Sequence, residues 1–391
     1  MTTALSPAPA TAPAPAPAPD VDPGRAPGVG GPSLAAARPD PADLDPRRAL
    51  RALEHWRADG RDAARFPYRA VLAHYRAVGK NAVGAELLTA LRTLRPSVPE
   101  GLLADWLPQV VDGAQGDYDS YLGSPVYASL ARSGAGTEPV ITALLADLVA
   151  IEAATLAGAP AGRARTRAAL RALTAAAGLP GAGDPATEDG TDELVRACAD
   201  AVGAARDAVP AGVLRAVELT LTPTTRSHDE QMFIRVIQIF EAVFAAVARS
   251  IGAATEAVAT GRADRARELL ADATRQVAGT SGVFRVLTTM PKDAFAVIRA
   301  NTDGRSAVQS TAYRTIERTS PELHRTLLRG TLDQAELAPV MGELDTAWGA
   351  MKRTHWGVTM KVIGQVRGTG GTAGASYLRE AADVRLFPAL G

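Results

Sequence analysis

From about residue 227 onward, apolar side chains recur every three or four positions, the spacing that places them on one face of a helix. Between His228 and Gly261, the positions Phe233, Val236, Ile237, Phe240, Val243, Phe244 and Val247 form a wide apolar stripe. Such a stripe predicts a long helix buried at the centre of a bundle. Ser227, with Glu230 three residues on, reads as a capping box that opens it. A second helix is predicted over about 262–278 and a third from Met290-Pro291; Gly304 separates the third from a fourth that ends near Thr319. Ser320-Pro321 and Thr331…Gln334 are expected to open two short helices, and a helix over 340–367 to close the bundle.

The same periodicity runs earlier in the chain. Asp45-Pro46 is an N-cap residue followed by proline at the first helical position, so order is expected to begin there. Helical patterns cover about 47–59, 67–78, 81–94 and, after the break Arg95-Pro96-Ser97, 98–112. Residues 137–218 read as three or four alanine-rich helices, interrupted at Gly158 to Gly162 and at the loop Gly178 to Pro185. No segment has the period of a strand, so the predicted fold class is all-α, a helical bundle. Residues 1–44 are rich in Pro, Ala and Gly, too poor in core-forming side chains to fold, and are expected to be a disordered tail.

Composition narrows the picture. Hydrophobic residues make up 47% of 391 and aromatics only 5%, so Ala, Leu and Val must build most of the core, which favours helices. The 42 basic and 42 acidic residues cancel, which removes the electrostatic argument for nucleic acid as a partner. Cys198 is the only cysteine, so a disulfide framework, a thiolate zinc site and a Cys-x-x-Cys-His haem attachment are excluded; it reads as a small core residue. No stretch reads as a transmembrane helix and no basic-then-apolar leader precedes the tail, so no membrane partner and a cytoplasmic location are expected.

Candidate chemistry gathers at the C-terminal end. Trp348, Met351, His355, Val358 and Val362 share one helical face, which puts an imidazole among apolar side chains. Such an imidazole suits a single axial bond to haem iron; on spacing alone, a packed histidine satisfied by a backbone carbonyl is the commoner occupant. His55 and His74, each beside an aromatic residue, have no acidic or second histidine partner at ligand spacing and read as ordinary core or surface residues. Arg299 lies one turn after Phe295, and a guanidinium there can clamp a carboxylate bidentately or simply face solvent. Gly368-Thr369-Gly370-Gly371 ends a helix rather than following a strand and lacks Gly-Lys-Ser/Thr, which argues against a phosphate loop.

His355 followed by IGQVRGTGGTAGASYL and RLFPAL resembles the C-terminal part of the tryptophan 2,3-dioxygenase family. HDEQMFIRVIQIFE (His228 to Glu241) and AFAVIRANTDGRSAVQSTAYRTIE (Ala294 to Glu317, with Gln309-Ser310 and Arg314…Glu317) resemble it at corresponding positions, and YDSYL (Tyr118 to Leu122) does so more weakly. Together these blocks cover under half of the chain. The resemblance implies a bundle of that family's type carrying extra N-terminal and inserted helices: an N-terminal helical region at 45–126, an inserted subdomain at 127–222 and a haem-binding core at 223–391. It implies haem b as cofactor with His355 as the iron ligand, Met351, Gly368 and Gly370 beside the cofactor, and O2 as co-substrate. It places Arg299 on the carboxylate and Thr369 on the ammonium of an aromatic amino-acid substrate, with Phe295 and Phe233 around the ring. Tyr118 and Tyr121 correspond to a tyrosine pair that lines the pocket, usually from a neighbouring subunit; as a sequence pattern they are equally a packing pair one turn apart. A homo-oligomer, dimer or tetramer, is the family habit.

Two positions depart from the family pattern. Ile237 stands where the tryptophan enzyme has a histidine that bonds the indole N–H and the indoleamine branch has serine. Met351 replaces a tryptophan that donates near the ligand histidine, which changes the iron's surroundings. The expected substrate is therefore tryptophan or a derivative, read less stringently at the ring nitrogen, in specialised metabolism. A haem monooxygenase of another aromatic amino acid, and a non-catalytic helical binding protein, are the competing readings.

Overall fold

The structure, a computed structural model, describes residues 40–112, 118–156, 160–179, 190–301, 310–362, 364 and 375–388. Among these there is no strand, as the periodicity predicts. The tail up to residue 39, Gly158, the 180–185 break, Gly304, Gln309 and the Gly368–Gly371 loop lie outside the described residues.

The N-terminal region is built from α1 (Pro41–Leu44), α2 (Arg47–Ala58), α3 (Tyr68–Val78), α4 (Ala85–Arg92) and α5 (Leu102–Val111). The first described helix starts at Pro41, a few residues before Asp45; Asp45 still caps the start of α2 by accepting from the Arg47 amide at 2.9 Å. The core here is aromatic. Phe66 and Tyr68 each meet Trp106 edge-on, with ring centroids 5.7 and 5.0 Å apart. The Trp106 indole donates to the Leu219 carbonyl at 2.9 Å and the Tyr75 hydroxyl to that of Val110 at 2.7 Å, so no polar tip in this cluster is stranded.

Next come α6 (Tyr118–Leu122), α7 (Ser124–Arg132), α8 (Thr137–Ala153), α9 (Pro160–Ala177), α10 (Thr191–Asp207) and α11 (Ala211–Leu219). The alanine-rich stretch therefore forms four helices. Their apolar faces merge into one core with α12 (His228–Ala259), α13 (Ala263–Leu287), α14 (Lys292–Asn301), α15 (Thr311–Arg329) and α16 (Gln334–Val362). A short α17 (Ala375–Asp383) packs on α16. Buried Arg235 on α12 cements the merger: it pairs with Asp147 of α8 at 2.7 Å and donates to the Val217 carbonyl of α11 at 2.8 Å.

Several sequence expectations change. Helix α13 continues nine residues past the predicted end because Val277, Thr280, Val283 and Phe284 keep the helical spacing of buried positions. Gly282, within that extension, lets α9 approach: a Cβ there would lie 3.2 Å from the Ala172 methyl carbon. Pro321 does not open a new helix, and neither does the 334 region stop before 340; α15 runs through Pro321 and α16 through Pro339. An interior proline costs about 3 kcal/mol, and burial of Ile316, Leu323 and Leu327 on one face of α15 offsets it. The capping box is not closed. Ser227 makes no side-chain cap bond, and the Glu230 carboxylate instead accepts from the amides and hydroxyls of Thr224 and Thr225 at 2.5–2.8 Å. Finally, α12 is long and apolar enough to cross a membrane, contrary to expectation, yet 61% of its most apolar window is buried inside the protein, as in a core helix.

The strap at 222–225 also ties the two cores together. Its Pro223 and Thr224 carbonyls accept from the Lys80 and Asn81 amides at 2.9 and 3.2 Å. Gly79 makes this approach feasible, with φ +81° and space for no Cβ, since one would lie 2.8 Å from the Thr224 carbonyl oxygen. Gly79→Ala is expected to cost at least about 1–3 kcal/mol from the backbone conformation alone, read as a lower denaturant midpoint with an unchanged m-value.

Candidate functional site

The stripe on α12 is buried as predicted, with two exceptions. Val236, Phe240, Val243, Phe244 and Val247 are all buried, whereas Phe233 and Ile237 are only half-buried. These two are the residues assigned to a ligand pocket from the sequence. Phe233 meets Phe295 of α14 edge-to-face at 5.7 Å, so those candidates come together. Arg299, one turn further along α14, is half-buried.

The short helix α6 is fastened across α12 at three points. The Tyr121 hydroxyl donates to Glu230 at 3.3 Å, the Gln238 amide donates to the Leu122 carbonyl at 2.8 Å, and the Tyr118 hydroxyl donates to Glu241 at 2.9 Å. Glu230, Ile237 and Glu241 lie within about 40° of one another around the helix, at 100° per residue. The tyrosine pair therefore bestrides Ile237, and it comes from the same chain. Burial pushes the phenol of each well above its usual range, and the neighbouring glutamate adds to the shift. Ser310 completes the group: its hydroxyl donates to the other Glu241 oxygen at 2.8 Å and caps α15 by accepting from the Tyr313 amide at 3.0 Å. Burial raises the Glu241 carboxyl, and the bonds from Ser310 and Tyr118 oppose the rise.

His355 stands on α16 with Trp348, Met351, Val358 and Val362 buried on the same face. Its ring stacks on Phe284 of α13 with centroids 6.0 Å apart and planes 28° apart, and Phe284 in turn packs 4.6 Å from Phe240 of α12. The five histidines differ sharply in their partners. His55 is exposed, His74 lies 2.9 Å from the Asp43 carbonyl, His228 lies 3.2 Å from Glu152 and His324 lies 3.5 Å from Gln334. His355 alone is half-buried with neither a hydrogen bond nor an ion pair among the described residues. Burial pushes its pKa down to about 4, so the imidazole is neutral. Such a group fits an axial iron bond.

The C-terminal Arg385-Leu386-Phe387 holds this helix in place. Arg385 pairs with Asp345 at 2.6 Å, the Leu386 amide donates to the same carboxylate at 2.6 Å, Lys352 donates to the Val384 carbonyl, and Phe387 is fully buried. Gly368, Thr369 and Gly370 lie outside the described residues. Sequence reasoning missed Phe284, Glu241 and Gln238 as parts of the site. Their signal is only tertiary, since each acts on a residue from a different helix.

No family model matches the chain. Among curated proteins it is similar to the tryptophan 2,3-dioxygenase of Bradyrhizobium diazoefficiens, 24% identical over 235 aligned residues that take in 43% of this chain and 84% of that protein. The tryptophan 2,3-dioxygenase of Bradyrhizobium sp. strain ORS 278 gives the same identity and coverage. That of Paraburkholderia phytofirmans is 42% identical over 55 residues, 14% of this chain and 18% of its own. The chain is thus a distant relative of these enzymes, with more than half of its length outside the match.

Proposed function

We propose that this protein is a haem-dependent oxygenase that uses O2 on the indole ring of L-tryptophan or a tryptophan derivative. The observation that carries the reading is His355, a neutral, desolvated imidazole without a competing partner among the described residues, in a chain distantly similar to tryptophan 2,3-dioxygenases. When bound there, haem b supplies the activation of dioxygen.

The protein's own residues bind and orient the substrate. Phe233 and Phe295 offer an edge-to-face aromatic wall for a ring, and the half-buried Ile237 presents a methyl surface in place of a hydrogen-bond acceptor. An apolar residue there leaves an indole N–H without a partner but does not reject an N-methyl group, so discrimination between the two is low. Arg299, one turn from Phe295, is the candidate clamp for the carboxylate, and Thr369 is the candidate partner at the amino-acid end. Because Tyr118 and Tyr121 bond to α12 from within the same chain, the reading requires no neighbouring subunit to supply them. A homo-oligomer remains compatible with it.

The test is turnover of the haem-loaded protein under O2 with L-tryptophan and 1-methyl-L-tryptophan, followed by product mass. Expected is ring cleavage with a gain of two oxygen atoms, and kcat/KM values for the two substrates within about tenfold of each other. A gain of one oxygen atom moves the assignment to a hydroxylase. No haem uptake, or no turnover of any aromatic amino acid, overturns the reading.

A further inference from the structure

Most of the carboxylates packed in the interior, among the described residues, fall into two groups. Glu152 and Asp229 face Arg165, Asp147 faces Arg235 and Asp345 faces Arg385; each has a guanidinium within 4 Å. Glu230 has no cation among the described residues but accepts five hydrogen bonds. Glu241 belongs to neither group. Each of its oxygens accepts one bond from a neutral hydroxyl, Tyr118 on one side and Ser310 on the other, and no cation pairs with it among the described residues. An ionised carboxylate has about four acceptor sites, so roughly half of its capacity is unused.

Hydroxyl donors on both oxygens favour the charged form, and a largely desolvated charge is costly without an opposite one. Glu241 lies one turn beyond Ile237 and two beyond Phe233 on the same stripe of α12. One helical turn, about 5.4 Å, is close to the span between an aromatic ring and the ammonium group of an amino acid. We propose that Glu241 is the counter-charge for the α-ammonium group of the substrate, and that it selects amino acids over their des-amino analogues. Tyr118 and Ser310 act as positioning residues, each holding one oxygen so that the remaining acceptor sites face the ligand. The inference rests on the oxygenase reading above and adds to it a specificity determinant.

The experiment titrates haem-loaded wild type and Glu241→Gln with L-tryptophan and with indole-3-propionate, following the shift of the haem absorption band. Glutamine keeps the size and loses the charge. Expected is a rise in Kd for L-tryptophan of roughly 10–100-fold, the loss of one charged hydrogen bond, with the Kd of indole-3-propionate changed by less than about twofold. If Glu241→Gln does not fold, Glu241→Asp withdraws the charge by one methylene and is expected to weaken L-tryptophan alone. An unchanged L-tryptophan affinity, or an equal loss for both ligands, overturns the assignment and leaves the oxygenase reading intact. A wild-type protein that binds haem but neither ligand overturns both.

Discussion

His355→Ala is expected to give a protein that folds but takes up no haem, with no Soret band after reconstitution. Only one protein ligand to iron is available in this reading, so the loss should exceed the roughly 10–100-fold that removal of an outer-shell partner costs. The variant should not be less stable than the wild-type apoprotein on account of hydrogen bonding, because His355 makes no bond among the described residues to lose. Added imidazole should restore part of the band. The pH dependence carries its own sign. Burial holds the folded-state pKa near 4, below the ordinary 6.5, so the stability tied to neutral His355 is fully present above pH 6.5 and is lost as pH falls toward 4. Within the folded protein the imidazole is already deprotonated at pH 5, so haem affinity should be flat between pH 7 and 5. An imidazole of ordinary pKa would lose roughly 30-fold over that range. A 30-fold loss in a Soret titration sinks the burial argument, and haem binding by His355→Ala sinks the ligand assignment.

The largest effect on stability is expected at Arg165→Met. This fully buried guanidinium pairs with Asp229 at 2.7 Å and with Glu152 at 3.7 Å, and Glu152 also meets His228 at 3.2 Å. It bonds the hydroxyl and carbonyl of Thr289 at 2.7 and 3.2 Å, which fixes the end of α13 just before α14 begins. Four helices and the approach to the Phe295 wall therefore converge on one side chain. Removing it strands two carboxylates in the interior, and breaking a buried pair in this way costs about 3–5 kcal/mol. Arg65→Ala, whose partner Asp59 is largely exposed, should cost no more than about 1 kcal/mol. Urea unfolding of both variants measures the contrast; equal midpoints would show that the cluster is not the constraint described.

Both positions differ in how visible they were beforehand. His355 is legible in the sequence because it shares an apolar face at helical spacing and because GTGG and RLFPAL follow it. Phe233 and Ile237 are legible only through the motif, and both are half-buried where the rest of the stripe is buried. Arg165 gave no signal. It sits in an alanine- and arginine-rich helix where its neighbours Arg163 and Arg167 look the same, and only the fold selects which one is buried. Ser227 and Glu230 gave a false local signal, since a buried carboxylate takes the nearest unsatisfied amides and hydroxyls, and the strap at Thr224 and Thr225 offers four. Pro321 misled for a related reason: a breaker acts locally, while the apolar face of α15 is buried on both sides of it.

By itself the sequence determined the helical class, the long central helix and the face that carries His355, because each depends on a repeat of three to four residues that any window of the chain displays. Only the tertiary structure decided which buried carboxylates face a guanidinium, which accept bonds from hydroxyls instead, and which helix supplies the ring beneath His355. Many of the bonds that set these outcomes join residues distant in sequence, 69 positions for Ser310 with Glu241 and 124 for Arg165 with Thr289. Burial, which sets the strength of each such pair, is a property of the packed core and not of any segment.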